Sequence, residues 1–538
     1  MLYPSINFKK YQTRMKYIGW TMIWVFLSCC AQEPPPKSTQ NQTSTKVSDS
    51  YQPPYFPNDQ RIAKIQELSG SLKAIFAQHS KEKHIPGLSY GIVVDDSLVL
   101  SGNVGVINID SNIAVTTQSL FRIASMTKSF TAMAILKLRD EGLLSLQDLV
   151  TNYIPELQSL VYLTSDAPAM NIQNLLNMTA GFPEDNPWGD RQLGLSDPEF
   201  TDLISQGFST SNVPSYQFEY SNTGYALLGR IISVVSGISY QEYIKQHIFI
   251  PLDMNQTYWE YSDLPDDQFV TGYRWEDDQW KLEPVLHDGA YGSMGGLITS
   301  IEDFKKYVGY QLSAWPARSD ANWGPVNRST LREMQTPQFN FLDYRDTDWN
   351  GEPCASMIGY GYGLGISMNC KRIKRVSHGG ALPGYGSGYA FFPDYGIGIM
   401  AFGNLTYTSP VPYDKIEKLL FETSGIEPRE LPTSEILKRR QQQLVLLFQP
   451  NDLNLDSEIF AENFFLDRSK KKRIELIQQV LDQAGTIQQV GQLNPRNQLR
   501  GDFDIRCQHG NVRVFFTLTP EKDPKIQRLD VSFEENTE

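Results

Sequence analysis

The stretch FRIASMTKSF, Phe121–Phe130, sets a serine and a lysine three residues apart at the head of an almost unbroken apolar run. On a helix, positions i and i+3 share a face, so the Lys128 amine lies within reach of the Ser125 hydroxyl. An unassisted serine is a weak nucleophile and needs a neighbouring base or a field that favours the alkoxide. A desolvated lysine has a lowered pKa and can be that base, and a helix N-terminus adds positive potential where an oxyanion forms. The same spacing also occurs by chance in many helices. The meaning of Ser125 and Lys128 therefore depends on what the rest of the chain supplies.

Two other stretches supply candidates. In FEYSNTGYALLG, Phe218–Gly229, a polar trio precedes an apolar helix. Tyr220 offers a phenol that can relay a proton, and Asn222 an amide that can hold a substrate carbonyl or amide. The plainer reading is a helix cap with Ser221 or Asn222 as the N-cap residue. In SHGGALPGYGSG, Ser377–Gly388, a strand ends at His378 and two glycines follow. Glycines allow a ligand to approach the backbone closely. The plainer reading here is an ordinary turn beside a surface histidine.

Taken together and in this order, the three stretches resemble the serine β-lactamase and penicillin-binding-protein family, in particular its class C-like branch. That family carries S-x-x-K, then Tyr-x-Asn, then a Lys/His-x-Gly triad. LLNMTAG (Leu175–Gly181), PLDMNQT (Pro251–Thr257) and SMGGLITSIEDF (Ser293–Phe304) look similar too, so the resemblance runs over residues 61–425. It implies an α/β (α+β) fold, an antiparallel sheet flanked by helices with an adjoining helical lobe, and a site in the cleft between them. By position it makes Ser125 the nucleophile, with Lys128 and Tyr220 sharing the acid and base roles. Asn222 would contact the acyl side of the substrate. The N–H groups of Ser125 and Ala381, the residue after the triad, would form the oxyanion hole. No cofactor or metal is implied, and no His/Cys/Asp cluster has metal-ligand spacing.

One departure bears on the substrate. Where the drug-hydrolysing branch carries Lys-Thr-Gly or Lys-Ser-Gly, this chain has His378-Gly379-Gly380. The hydroxyl and the fixed positive charge that would hold a β-lactam carboxylate are gone, since a histidine near neutral pH is only partly charged. Poor β-lactamase activity is expected, with His378 orienting or polarising Tyr220. The implied reaction is acyl transfer to Ser125 and hydrolysis of an ester or a peptide/amide bond, with D-amino acids as candidate components. The alternatives are a β-lactamase or D-alanyl carboxypeptidase, and a weakly catalytic sensor that binds peptidoglycan or β-lactams. Trp188, in Asn186-Pro187-Trp188-Gly189, either lines the substrate pocket or packs its own loop. His79, His84, His247, His287 and His509 lack a partner motif and read as structural or solvent-exposed.

The remaining sequence sets the surroundings. With 538 residues and 40% hydrophobic composition, the chain can build a large domain and a smaller one. A net charge of −13 makes nucleic acid a poor partner. Lys9, Lys10, Arg14 and Lys16 precede an apolar run from Tyr17 to Leu27, then Ser28-Cys29-Cys30. This reads as a lipoprotein-type signal peptide over 1–29 with Cys29 lipidated, Cys30 being the alternative. Residues 30–60, rich in Pro, Gln, Ser, Thr and Asn, read as a disordered tether. The protein is thus expected on the bacterial cell envelope, facing the periplasm or exterior, with the hydrolase domain over 61–430. Cys354 and Cys370 are read either as a disulfide or as unpaired structural thiols. Residues 431–538 read as a small α+β accessory domain without a chemical motif, resembling a cystatin- or NTF2-like module.

Overall fold

The computed structural model describes residues 46–265, 268–448, 453, 455 and 458–535. The expected leader, Cys29 and most of the expected tether lie outside the described residues. The last part of that tether is not free chain. Tyr55 exchanges backbone hydrogen bonds with Glu430, at 3.1 and 2.8 Å, and the Arg61 guanidinium sits 3.7 Å over the Phe56 ring. The body of the fold therefore begins before residue 61.

Residues 61–82, where Ile62, Ile65, Leu68, Leu72, Ile75 and Phe76 recur at helical spacing, form two helices, α1 (Arg61–Glu67) and α2 (Ser69–Glu82). The break falls at Leu68 beside Ser69-Gly70, a pair that weakens a helix. Strands β1 (Gly87–Val94) and β2 (Ser97–Asn108) follow as a hairpin, and β3 (Ile113–Ala114) adds an edge. The chain then leaves the sheet for α3 (Lys128–Asp140), α4 (Asn222–Ser236) and α5 (Ile301–Leu312), with shorter helices between them. Helix α3 ends at a glycine: Gly142, just past the cap residue, takes φ +74°, a conformation glycine adopts without strain. The chain returns through β4 (Phe339–Asp343), β5 (Ser356–Tyr360), β6 (Gly365–Met368), β7 (Lys374–Leu382), β8 (Tyr385–Phe392) and β9 (Ile397–Gly403). A short helix, α6 (Tyr413–Glu417), follows.

These nine strands form one antiparallel sheet in the order β3-β2-β1-β9-β8-β7-β6-β5-β4. Early and late segments are thereby joined by the β1–β9 ladder, Leu88↔Gly403 to Val94↔Ile397. Alternate residues of the central strands serve two cores. Met400 and Phe402 of β9 pack with α3, α4 and α5, whereas Ile397, Ile399 and Ala401 pack with α1, α2 and α6. With both faces covered, β1 and β9 are buried throughout, which is why they read as near-continuous apolar runs. Cys354 and Cys370 form a disulfide that staples the segment between β4 and β5 to the β6–β7 turn.

Beyond residue 430, α7 (Glu435–Leu447) starts at a serine cap, where Ser434 Oγ accepts from Leu437 N–H. Helix α8 (Lys470–Ala484) opens with the basic run Lys470–Arg473. Five strands follow, β10 (Ile487–Val490), β11 (Asn494–Asn497), β12 (Arg500–Cys507), β13 (Gly510–Leu518) and β14 (Ile526–Glu535). They form a separate antiparallel sheet, whose inner face builds its own apolar cluster around Leu437, Phe464, Phe503 and Phe516. Among the described residues no helix is long and apolar enough to cross a membrane.

Candidate active site

Ser125 lies in a tight 3-10 turn, Ala124–Thr127, immediately before α3. In such a turn, residues three apart eclipse, and the Lys128 ammonium nitrogen is 3.0 Å from Ser125 Oγ. The turn is under backbone strain: Ala124 has φ +48°, a region that a residue with a Cβ occupies only when its surroundings force it. Those surroundings are visible. Ser387 Oγ on β8 donates to Ile123 O at 2.7 Å, and Ile123 N–H donates to Leu297 O at 2.9 Å. On β7, a Cβ at Gly380 would lie 2.2 Å from Ile123 O. Only glycine lets the strand come this close.

That contact changes the reading of the third motif. Strand β7 does not stop at His378. It runs on to Leu382, pairing His378↔Tyr389, Gly380↔Ser387 and Ala381↔Gly386 with β8. His378-Gly379-Gly380 is strand, not turn, and its glycines serve close approach to the Ser125 turn.

Lys128 is fully buried, and all three of its donors are used. Besides Ser125 it donates to Asn222 Oδ1 at 2.7 Å and Met294 O at 2.8 Å. Burial lowers its pKa to about 7, although the carboxylates of Asp190 and Asp185 pull the other way. As an ammonium, Lys128 donates to Ser125. As an amine, it presents a lone pair at the same 3.0 Å and can accept the Ser125 proton.

Tyr220 completes the cluster. Its phenol faces the Ser125 side chain, and its ring centroid is 4.9 Å from the Lys128 nitrogen. Burial pushes the phenol well above its usual range, and the nearby Asp190, Asp185 and Glu184 push the same way. Tyr220 thus keeps its proton near neutrality, and Lys128 is the member of the pair whose charge can change there. Ser221 takes the capping role, its Oγ accepting from Gly224 N–H at 3.1 Å. Asn222 is left free for the site. Its Nδ2 donates to Asn186 Oδ1, and its backbone N–H donates to Asp185 Oδ1 at 2.6 Å.

His378 departs from the sequence expectation. Its Nδ1 is 2.6 Å from Gly379 O and its Nε2 is 3.2 Å from Tyr360 Oη. The consistent assignment is Nδ1–H donating to the carbonyl and Nε2 accepting from Tyr360. Burial and the Lys128 charge lower the His378 pKa to about 4, so the ring is neutral. Its ring centroid is 6.3 Å from that of Tyr220. The residue it bonds directly is Tyr360, which sequence reasoning missed because β5 carries no motif.

Trp188 is 46% exposed, with its ring edge on Tyr291. Asp190 was also missed. It is 2% exposed, faces the Tyr407 hydroxyl, and is raised to about pKa 6 by burial. No periodicity marks it; the nearest sequence signal was its place two residues after the singled-out Trp188. The remaining histidines have structural partners, such as His79 with Ser409 O at 2.8 Å and His84 stacked on Trp275.

A family model described as Beta-lactamase matches residues 72–422. Among curated relatives, Beta-lactamase-like protein 2 of Dictyostelium discoideum is 27% identical over 428 residues, covering 75% of this chain and 74% of that protein. Protein flp of Staphylococcus aureus is 28% identical over 335 residues, 61% of each chain, so this chain spans under two thirds of that relative. The octameric penicillin-binding protein homologue from Pyrococcus abyssi superposes with a TM-score of 0.53 at 22% identity, over 86% of this chain and 98% of that one. A penicillin binding protein from Bacillus halodurans gives 0.51 at 22%, over 64% and 98%. At that identity the two structures bear on the fold.

Proposed function

The chain belongs to the beta-lactamase family, and from that premise we propose that it is a serine hydrolase that forms an acyl-enzyme at Ser125 and acts on an ester or a peptide/amide bond. The observation that carries this reading is the buried Lys128 nitrogen 3.0 Å from Ser125 Oγ, at a pKa of about 7.

In the proposed cycle, neutral Lys128 takes the Ser125 proton as Oγ attacks the substrate carbonyl. Tyr220 donates its hydrogen bond to the developing charge at Oγ or at the leaving group. The backbone N–H groups of Ser125 and Ala381 receive the oxyanion. The leaving group departs with a proton relayed through Lys128 and Tyr220. Water then attacks the acyl-enzyme by the same route in reverse, restoring Ser125. Asn222, held between Lys128 and Asn186, orients the acyl side.

Low β-lactamase activity is part of the proposal. A neutral His378 bonded to Tyr360 offers no positive charge to a β-lactam carboxylate. Anchoring to the bacterial envelope through Cys29 is proposed on the sequence of residues 1–29.

The test is labelling with a fluorophosphonate probe and turnover of two chromogenic substrates. Wild type should label and the Ser125→Ala variant should not. A small neutral p-nitrophenyl ester should be hydrolysed faster than a chromogenic cephalosporin. Absence of labelling, or the reverse ranking of substrates, would refute the corresponding part.

A further inference from the structure

Asp190 occupies a position that the catalytic cluster does not explain. Its carboxylate is buried at 2% exposure, and Oδ1 is shielded from water with no hydrogen-bond partner. A buried carboxylate oxygen left without a donor is costly. Lys128 does not satisfy it, since its three donors go to Ser125, Asn222 and Met294. Arg191 is next in sequence, but its side chain is exposed, where water screens its charge.

The location is on the acyl side. Gly189 presses so closely on Asn222 that a Cβ there would lie 2.8 Å from Asn222 Cβ. Tyr407, whose hydroxyl faces Asp190, comes from the opposite wall of the cleft, its N–H donating to Leu382 O at the end of β7. Two large aromatic side chains of these segments stay open to solvent: Trp188, two residues before Asp190, at 46%, and Tyr407, whose hydroxyl faces Asp190, at 43%. An anion beside exposed aromatic faces is a combination that favours cations. The side chains of the His378-Gly379-Gly380-Ala381 run offer no positive charge to a substrate carboxylate.

We propose that Asp190, with Trp188 and Tyr407, forms a subsite for a cationic group on the acyl side of the substrate, so that the Ser125 centre prefers esters or amides carrying an ammonium group. This rests on the serine hydrolase reading and narrows it. No covalent step is added. The ammonium group sits at the exposed Trp188 and Tyr407 rings, with the buried Asp190 charge behind them, while Ser125 is acylated and released as before.

The test compares the p-nitrophenyl ester of a trimethylammonio-butyric acid with that of its uncharged tert-butyl isostere. The permanent charge removes any titration of the substrate. Wild type should favour the charged ester by about tenfold or more in kcat/KM. In the Asp190→Asn variant that ratio should fall towards one, whatever happens to the absolute rate through Lys128, and Tyr407→Leu should lower it in part. A wild-type ratio near one, or an unchanged ratio in Asp190→Asn, would overturn the subsite and leave Asp190 as a counter-charge to Lys128. Should the variants not fold, binding of tetramethylammonium ion to wild type, measured by calorimetry against neopentyl alcohol, decides the matter. Selective binding of the ion supports the subsite, and equal or absent binding overturns it. Failure of the hydrolase reading looks different: neither ester is turned over and no fluorophosphonate label appears.

Discussion

If Lys128 is the base, the rate must follow its charge. Its pKa falls from 10.5 to about 7, and 10.5 − 7 = 3.5 corresponds to about 5 kcal/mol by which the buried site disfavours the ammonium. At pH 7 about half of the molecules then carry the free amine, against roughly 0.03% for a lysine in water. For a neutral ester, kcat/KM should rise about tenfold per pH unit up to about pH 7 and then level off. Other groups do not obscure this limb. His378, at about 4, titrates below the window, and Tyr220 keeps its proton above it. Asp190, at about 6, faces Lys128 and titrates with it, so the limb belongs to the pair. The assay is steady-state hydrolysis of a p-nitrophenyl ester from pH 5 to 9 at constant ionic strength, corrected for spontaneous hydrolysis.

Lys128→Met should cost about a hundred- to ten-thousandfold in rate, and its residual activity should lack the limb. Stability offers an independent reading. The folded pKa of Lys128 lies below its unfolded value, so between about 7 and 10.5 the unfolded chain holds the extra proton. Unfolding free energy should therefore rise with pH across that window, and Lys128→Met should remove that part of the rise. An activity limb centred above pH 9, or none between 5 and 9, would refute the assignment of Lys128 as base.

Three further outcomes follow from contacts around the site. Gly380→Ala sets a methyl group against Ile123 O, at 2.2 Å if nothing moves. Activity should fall more than a hundredfold because the Ser125 turn is pushed away, read as lost fluorophosphonate labelling in protein whose far-UV spectrum is retained. Tyr360→Phe leaves the buried His378 Nε2 without its donor; urea denaturation should show a loss of about 1–3 kcal/mol, while the pH limb assigned to Lys128 stays in place. Replacing Cys354 and Cys370 together with alanine opens a loop of sequence separation 16. That should cost about 3 kcal/mol in denaturant unfolding, with ester hydrolysis retained in the folded protein.

Local spacing carried the parts of the site that were legible in the sequence. Ser125 and Lys128 sit within one turn, and Ser221 and Asn222 divide capping from chemistry at one helix start. Neither needed knowledge of distant chain. The glycines that bring β7 against Ile123 are the same residues that erase its strand pattern, so the strand read as ending at His378. Strands β4 and β5 were unmarked because half-exposed residues and charged loops surround them, and Tyr360 was lost with them. Asp185 and Asp190 have no pattern of their own. They matter because their loop folds over the start of α4, where Asp185 accepts from the backbone of Asn222 and Thr223. Burial there, not residue type, moves the Asp190 pKa.

The hydrogen bonds also separate proton transfer from recognition. Lys128 bonds to Ser125, Asn222 and Met294, none of them on β7. His378 bonds to its own strand and to Tyr360. The proposed base is thus fixed by α4 and the 294–297 segment; the turn that carries Ser125 is held in addition by the backbone of β7 and by Ser387 of β8, and the side chain at 378 holds neither. A residue at that position can change without dismantling the proton path, and what it changes first is the charge presented to the substrate. With no cation at 378 and an unpartnered carboxylate oxygen at Asp190, the charge pattern of the cleft opposes the one a carboxylate-bearing β-lactam needs. In this chain, departure from the lysine-bearing motif and the missed acidic residue point to the same change of substrate.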